Sequence, residues 1–182
     1  MALPSTIYRL QLQISNVDRG IYETIQTAVA RHPSETEERL VARLLAAALF
    51  YEPELTFTKG LSATDEPDLW LKGGDGTVLL WVEVGLPVSD RVIKACRHAE
   101  KVALLTCGKA ASIWDQQHLP KLHKMNNLLV IAVDQEFIGG LASQLARTID
   151  WSVTITEGIL YLTTGTLTCQ TALYLKQGTF PH

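Results

Sequence analysis

Residues Glu66–Val84 read EPDLWLKGGDGTVLLWVEV, two apolar, Trp-containing segments on either side of Gly73-Gly74-Asp75-Gly76. The pattern predicts a β-hairpin. A turn of two or four residues sets Glu66 opposite Glu83 and Asp68 opposite Trp81. Side chains alternate along a strand, so Glu66, Asp68, Trp70, Trp81 and Glu83 share one face. Leu69, Leu71, Leu80, Val82 and Val84 form the other face, which reads as core. A turn with an odd number of residues would invert this parity. With the two- or four-residue turn, Asp68 and Glu83 are diagonal neighbours, about 7–8 Å apart at the backbone and able to converge on one ion. Three carboxylates on one face repel each other, and a divalent cation or protonation of one group would relieve that cost. Hard oxygen ligands of this kind suit Mg²⁺ or Mn²⁺.

The flanking sequence supplies helices. Ser34 with Glu37 three residues later is a capping-box pattern, and Pro53 ends the following apolar stretch, so a helix is expected over Glu35–Phe50. Glu38 lies at the N-terminal end of its core-facing stripe, with Val41 and Leu45. After the hairpin, Ser89 opens a second expected helix reaching about Glu100. Arg91, Lys94, His98 and Lys101 recur on one face of it. Acids beside a basic helix face are what metal-assisted phosphodiester hydrolysis requires, with a lysine orienting water or stabilising developing charge.

Further out, Thr6–Ile14 alternates with period two. In Ile21–Arg31, Ile21, Ile25 and Val29 share a face in either a helix or a strand, and a short turn across Asn16–Gly20 favours the strand, as a hairpin partner. A short strand at Thr56–Lys59, strands Val102–Cys107 and Leu128–Val133, and helices Ala110–His118 and Glu136–Thr148 continue the alternation. Trp151–Thr156, Ile159–Thr163 and Leu167–Leu175 read as an antiparallel meander. The expected fold is α/β (α+β): a mixed central β-sheet flanked by helices, with a C-terminal antiparallel β meander, in one domain over residues 1–182.

Composition narrows the function classes. The chain has 182 residues, 16 Lys+Arg and 19 Asp+Glu for a net charge of -3, and is 47% hydrophobic. Its pI near 5.9 disfavours a general nucleic-acid coat protein. No apolar run is long enough to span a membrane, and no signal peptide is apparent at the N-terminus. Cys96, Cys107 and Cys169 are odd in number and widely spaced, which argues against a disulfide framework and suits a reducing cytoplasm.

The segments Ala30–Arg39, Asp65–Leu71 and Trp81–Pro87, followed by Arg91 and Lys94, resemble the YaeQ family of bacterial proteins through nearly the whole chain. That family is similar in fold to the PD-(D/E)xK nucleases, so the resemblance implies a restriction-endonuclease-like core. Carried over by position, Pro67-Asp68 is the PD element, Glu83 the acid of ExK and Glu38 the acid of the first helix. The ExK lysine position is Gly85 here, a departure from the pattern. Lys94, on the following helix, is expected to supply the ammonium instead. The resemblance thus implies a divalent-metal-dependent phosphodiester hydrolase with Glu38, Asp68, Glu83 and Lys94 as catalytic residues. Asp68 and Glu83 are its expected metal ligands, for Mg²⁺ or Mn²⁺. Arg31, His32, Arg91 and His98 are expected to contact substrate. The rival expectation, motivated by Gly85, is a catalytically inactive nuclease-fold module binding nucleic acid or a protein partner.

Overall fold

In the computed structural model, which describes residues 4–62 and 65–181, the chain forms two mixed sheets with helices packed around them. Strand β1 (Thr6–Asn16) and strand β2 (Ile21–Arg31) make the expected hairpin, in register from Thr6↔Arg31 to Asn16↔Ile21. Leu10, Leu12 and Ile14 are buried on the inner face of β1, as the period-two alternation requires. On its other side β1 pairs in parallel with β8 (Thr148–Thr156), and β9 (Ile159–Thr163) and β10 (Thr168–Ala172) complete the first sheet in the order β10-β9-β8-β1-β2.

The second sheet is built from β3 (Thr56–Phe57), β4 (Leu69–Lys72), β5 (Val78–Val84), β6 (Ala99–Thr106), β7 (Leu128–Ala132) and β11 (Tyr174–Gln177), in the order β11-β7-β6-β5-β4-β3. Its central strands β5, β6 and β7 run parallel. The mixed α/β class with flanking helices holds, but the strands divide between two sheets rather than forming one. The expected last meander strand is also split. Its first part stays in the first sheet as β10, and its second part crosses over as β11 to pair with β7.

Helix α1 (Glu37–Leu49) packs against β1 of one sheet and β5 of the other. Every residue from Leu40 to Leu49 is buried, and a helix apolar around most of its circumference is one enclosed on all sides. Leu12, Leu44, Leu69 and Val82 meet in this main core. The opposite face of the second sheet is covered by α2 (Ser89–His98), α3 (Ala111–Gln117) and α4 (Leu119–Leu122), through Val92, Leu104, Trp114 and Leu122. The short helix α5 (Gln135–Ala142) packs on α1 and ends earlier than expected, because Thr148 and its neighbours join β8.

Two local expectations need correction. The helix N-cap is Thr36, whose hydroxyl accepts from Arg39 N at 3.1 Å; Ser34 instead contacts His32 Nδ1 at 2.6 Å. The second correction concerns hairpin register. Leu69 pairs with Val82 and Trp70 with Trp81, and a bulge follows Leu71. Continuing that ladder past Leu69 puts Asp68, not Glu66, across from Glu83. The slip is two residues, so the parity survives.

Candidate functional site

At the carboxyl ends of β5 and β6 the chain opens into a cavity of about 510 Å³. Crevices outside the carboxyl ends of parallel strands are the usual ligand sites of such sheets. Glu38 and Arg39 reach its wall from the first turn of α1, Asp68 from the residue just before β4, Glu83 from the end of β5, and Arg91 from α2.

Asp68 is 2% exposed and Glu83 is 5% exposed, and burying a carboxylate is expensive unless it is paired. Both acids have such partners. Asp68 Oδ2 accepts from Val84 N at 2.9 Å, which ties the two strands together beyond the regular ladder. Its Oδ1 lies 2.7 Å from an Arg39 guanidinium nitrogen and 3.7 Å from Arg43 Nε, yet makes no hydrogen bond. Glu83 accepts from Arg91 Nε at 2.8 and 2.9 Å and from Trp81 Nε1 at 2.9 Å. Another Arg91 nitrogen donates to Glu66 O at 2.8 Å. Burial pulls the Arg91 pKa down, but the hydrogen bond and charge of Glu83, aided by Asp68 and Asp65, outweigh it and leave it raised.

Behind these groups stands a residue that the pattern of the sequence did not single out. Arg43 is fully buried; its Nη1 donates to both Glu35 oxygens, at 3.3 and 3.2 Å, and to Ala30 O, while Nη2 donates to Thr58 O. Glu35 also pairs with Arg39 at 3.2 Å. Arg39 and Arg43 are four residues apart on one face of α1, and Glu35, just before the Thr36 cap, lies four residues before Arg39 and pairs with both. That spacing was the available signal, hidden among residues read as helix start and core.

Of the expected site residues, Glu38, Asp68, Glu83 and Arg91 line the cavity. Lys94 does not: its side chain is 68% exposed and lies 3.5 Å from Asp65. The role of ammonium donor in the cavity is therefore not one this geometry gives it. Arg31 donates to Glu35 O, His32 is engaged with Ser34, and His98 Nδ1 contacts Lys94 O; none of the three lines the cavity. Cys107 does line it, and burial pushes its thiol up to about 11, so it is not a thiolate nucleophile at neutral pH.

The sequence model of the family described as YaeQ protein matches residues 1–173. The chain belongs to the YaeQ family. Uncharacterized protein YaeQ of Escherichia coli (strain K12) is 40% identical over 163 residues, covering 89% of this chain and 90% of that one. The crystal structure of YaeQ protein from Pseudomonas syringae superposes with a TM-score of 0.94 at 39% identity, over 99% of this chain and 100% of that chain. YaeQ protein from Xanthomonas axonopodis pv. citri gives a TM-score of 0.92 at 35% identity, over 96% and 99%. The fold described above is therefore the YaeQ fold.

Whether the cavity suits a divalent ion depends on its donors. Among the described residues, no three His, Cys, Asp or Glu side chains lie close enough to hold one metal. Mg²⁺ does not need such a cage, because it commonly takes one or two carboxylates and fills its remaining positions with water and substrate phosphate. Asp68 and Glu83 line the same cavity with hard carboxylate oxygens, and Asp68 Oδ1 is a buried acceptor held by the Arg39 ion pair at 2.7 Å without a hydrogen bond. The donor set fits, provided that the guanidinium groups yield.

Proposed function

We propose that the cavity is a phosphodiester-hydrolysing site on a nuclease-like fold, dependent on Mg²⁺ or Mn²⁺ held by Asp68 and Glu83. One observation carries this reading: Glu38, Asp68 and Glu83, together with Glu66, line one cavity at the carboxyl ends of the parallel strands β5 and β6. A bound divalent ion would polarise a phosphoryl oxygen and lower the pKa of a water. Arg39 and Arg91, displaced from the carboxylates, are placed to bind phosphate oxygens by paired N–H donors, the geometry at which a guanidinium excels. Arg91 thus takes the position on α2 that Lys94 was expected to fill. Glu38, on the first turn of α1, is placed to orient water.

The substrate in this reading is nucleic acid. No helix among the described residues is long and apolar enough to cross a membrane, and Cys96, Cys107 and Cys169 are free thiols, which fits a reducing cytoplasm. The test is incubation with Mg²⁺ or Mn²⁺ and a panel of DNA and RNA substrates. Cleavage is expected from the native chain and not from Asp68→Ala or Glu83→Ala. Cleavage surviving both substitutions together comes from a contaminant and sinks the reading.

A second reading is favoured by Gly85 and by the outward position of Lys94: a nuclease-fold module that binds nucleic acid or a protein partner without cutting. It predicts oligonucleotide binding that depends on Arg39 and Arg91, with no metal-dependent turnover. Fluorescence anisotropy on the same oligonucleotides used for the cleavage panel separates the two.

A further inference from the structure

We propose that the free edge of β2 pairs with β2 of a second copy of this chain, in antiparallel register about Thr27. The four sheet edges are not alike. Edge strands β3, β10 and β11 have two, five and four residues, and β11 carries a register shift against β7. Short or bulged edges are how proteins suppress strand addition. By contrast β2 has eleven residues, pairs among the described residues only with β1, and keeps register without a bulge throughout. It contains no proline, glycine or lysine, and its residues Ile21–Ala28 are exposed or half-buried, Tyr22 at 65%. Isoleucine, threonine, tyrosine and valine make up much of it, which suits a strand that has neighbours on both sides.

The charges select the partner. Glu23 and Arg31 are the two charged residues of β2, one near each end, and they lie on the same face. In a two-fold antiparallel pair, the register that places Thr27 opposite itself sets Glu23 against Arg31 of the second copy, twice. It also sets Ile25 against Val29, so the inner faces of the two sheets run together. Registers shifted by two residues in either direction lose both charge pairs. Such a self-complementary patch is what a two-fold interface requires. The result is one ten-stranded sheet formed by joining two five-stranded ones.

The proposal is independent of the cavity chemistry. Sedimentation velocity of the full chain over a concentration series tests it, with Thr27→Lys and Thr27→Glu beside the native protein. Thr27 is exposed, so either change leaves the monomer fold alone while placing like charges face to face across the two-fold. The native chain is expected to shift to a dimer as concentration rises, each variant to remain a monomer, and their equimolar mixture to dimerise again. A native chain that stays monomeric throughout, variants that dimerise as well as it does, or a mixture that stays monomeric would each overturn the proposal.

Discussion

Arg91 Nε sits 2.8 and 2.9 Å from the two carboxylate oxygens of Glu83, so the acid assigned to metal is already held by a cation of the chain itself. A guanidinium and a divalent ion compete for the same oxygens. Removing the guanidinium therefore favours the ion. Hydrogen bonds to charged groups contribute about 1.5–3 kcal/mol, and the Arg91 side chain is 34% exposed, so the lower end applies. Arg91→Gln is expected to tighten Mn²⁺ binding about tenfold, since ~1.4 kcal/mol is one decade, while weakening oligonucleotide binding. Calorimetric titration reads the first and anisotropy the second. Weaker Mn²⁺ binding in the variant would contradict the competition.

The pair formed by Arg43 and Glu35 has different consequences, because both side chains are at most 1% exposed. Removing one partner strands the other charge in the interior, at a cost of about 3–5 kcal/mol. Arg43→Met and Glu35→Leu are each expected to lower urea stability by that order. The double variant should lose less than the sum, because neither charge is then left alone. Arg43→Met should also loosen Asp68, whose Oδ1 lies 3.7 Å from Arg43 Nε.

Helix capping separates Thr36 from Ser34. Thr36 accepts from Arg39 N, so Thr36→Ala is expected to destabilise the protein by about 0.5–2 kcal/mol. Ser34→Ala loses only the contact with His32 and should stay within about 0.5 kcal/mol of the native chain, as surface changes usually do. Equal losses in denaturant unfolding would restore Ser34 as the cap.

How much of this was legible depends on the range of each signal. Period-two alternation exposed β1 and the 66–84 hairpin, because the buried face of a strand imprints itself on the next residue but one. The shared face of Asp68 and Glu83 was equally legible, since it depends only on parity. The register slip was not, because a shift of two residues leaves the pattern of apolar and polar positions unchanged, and the one-residue bulge after Leu71 has no local signature. The departure of Tyr174–Gln177 to the second sheet was also hidden: strand character is local, whereas the choice of sheet is made by distant partners such as Ala132 and Ile131. Lys94 failed for a related reason. Helical spacing put it on a face with Arg91, but one further turn along α2 carried it past the cavity mouth to Asp65. Arg43 looked like an interruption in an apolar helix; besides nearby Glu35, its partners come from β2 and the loop at Thr58, which no local window contains.

The cysteines give a pH prediction. Burial pushes the Cys96 and Cys107 thiols up to about 11 from the ordinary value of 9.0. Each folded-state pKa lies above the unfolded one, so the stabilisation is fully present below pH 9.0 and is lost as pH rises through about 11. Denaturation midpoints are expected to fall across that window, and less steeply in Cys96→Ala and Cys107→Ala. Alkylation by iodoacetamide at neutral pH should be slow at both sites, because the thiolate is the reactive form. Rapid labelling of the native chain would contradict the burial.

The glycine at position 85 has a backbone reason. Its φ is +96°, a conformation that side-chain-bearing residues rarely adopt, and its N–H is pinned to Leu105 O at 3.0 Å. A Cβ placed there meets nothing within 4 Å, so strain and not crowding opposes a larger residue. Backbone strain of this kind is of the order of ~1–3 kcal/mol. Gly85→Ala and Gly85→Lys are therefore expected to lose similar stability, within about 0.5 kcal/mol of each other, because the strain comes from the Cβ they share. An alanine variant as stable as the native chain would show that the backbone does not demand glycine. The lysine variant also asks a functional question that the alanine variant controls for. An ammonium at position 85 stands beside Asp68 and Glu83 on the cavity wall, where the nuclease pattern expects one. On the hydrolase reading, Gly85→Lys cleaves faster than Gly85→Ala despite equal destabilisation. If neither variant cleaves while the native chain binds oligonucleotides, the module that binds without cutting is the better account.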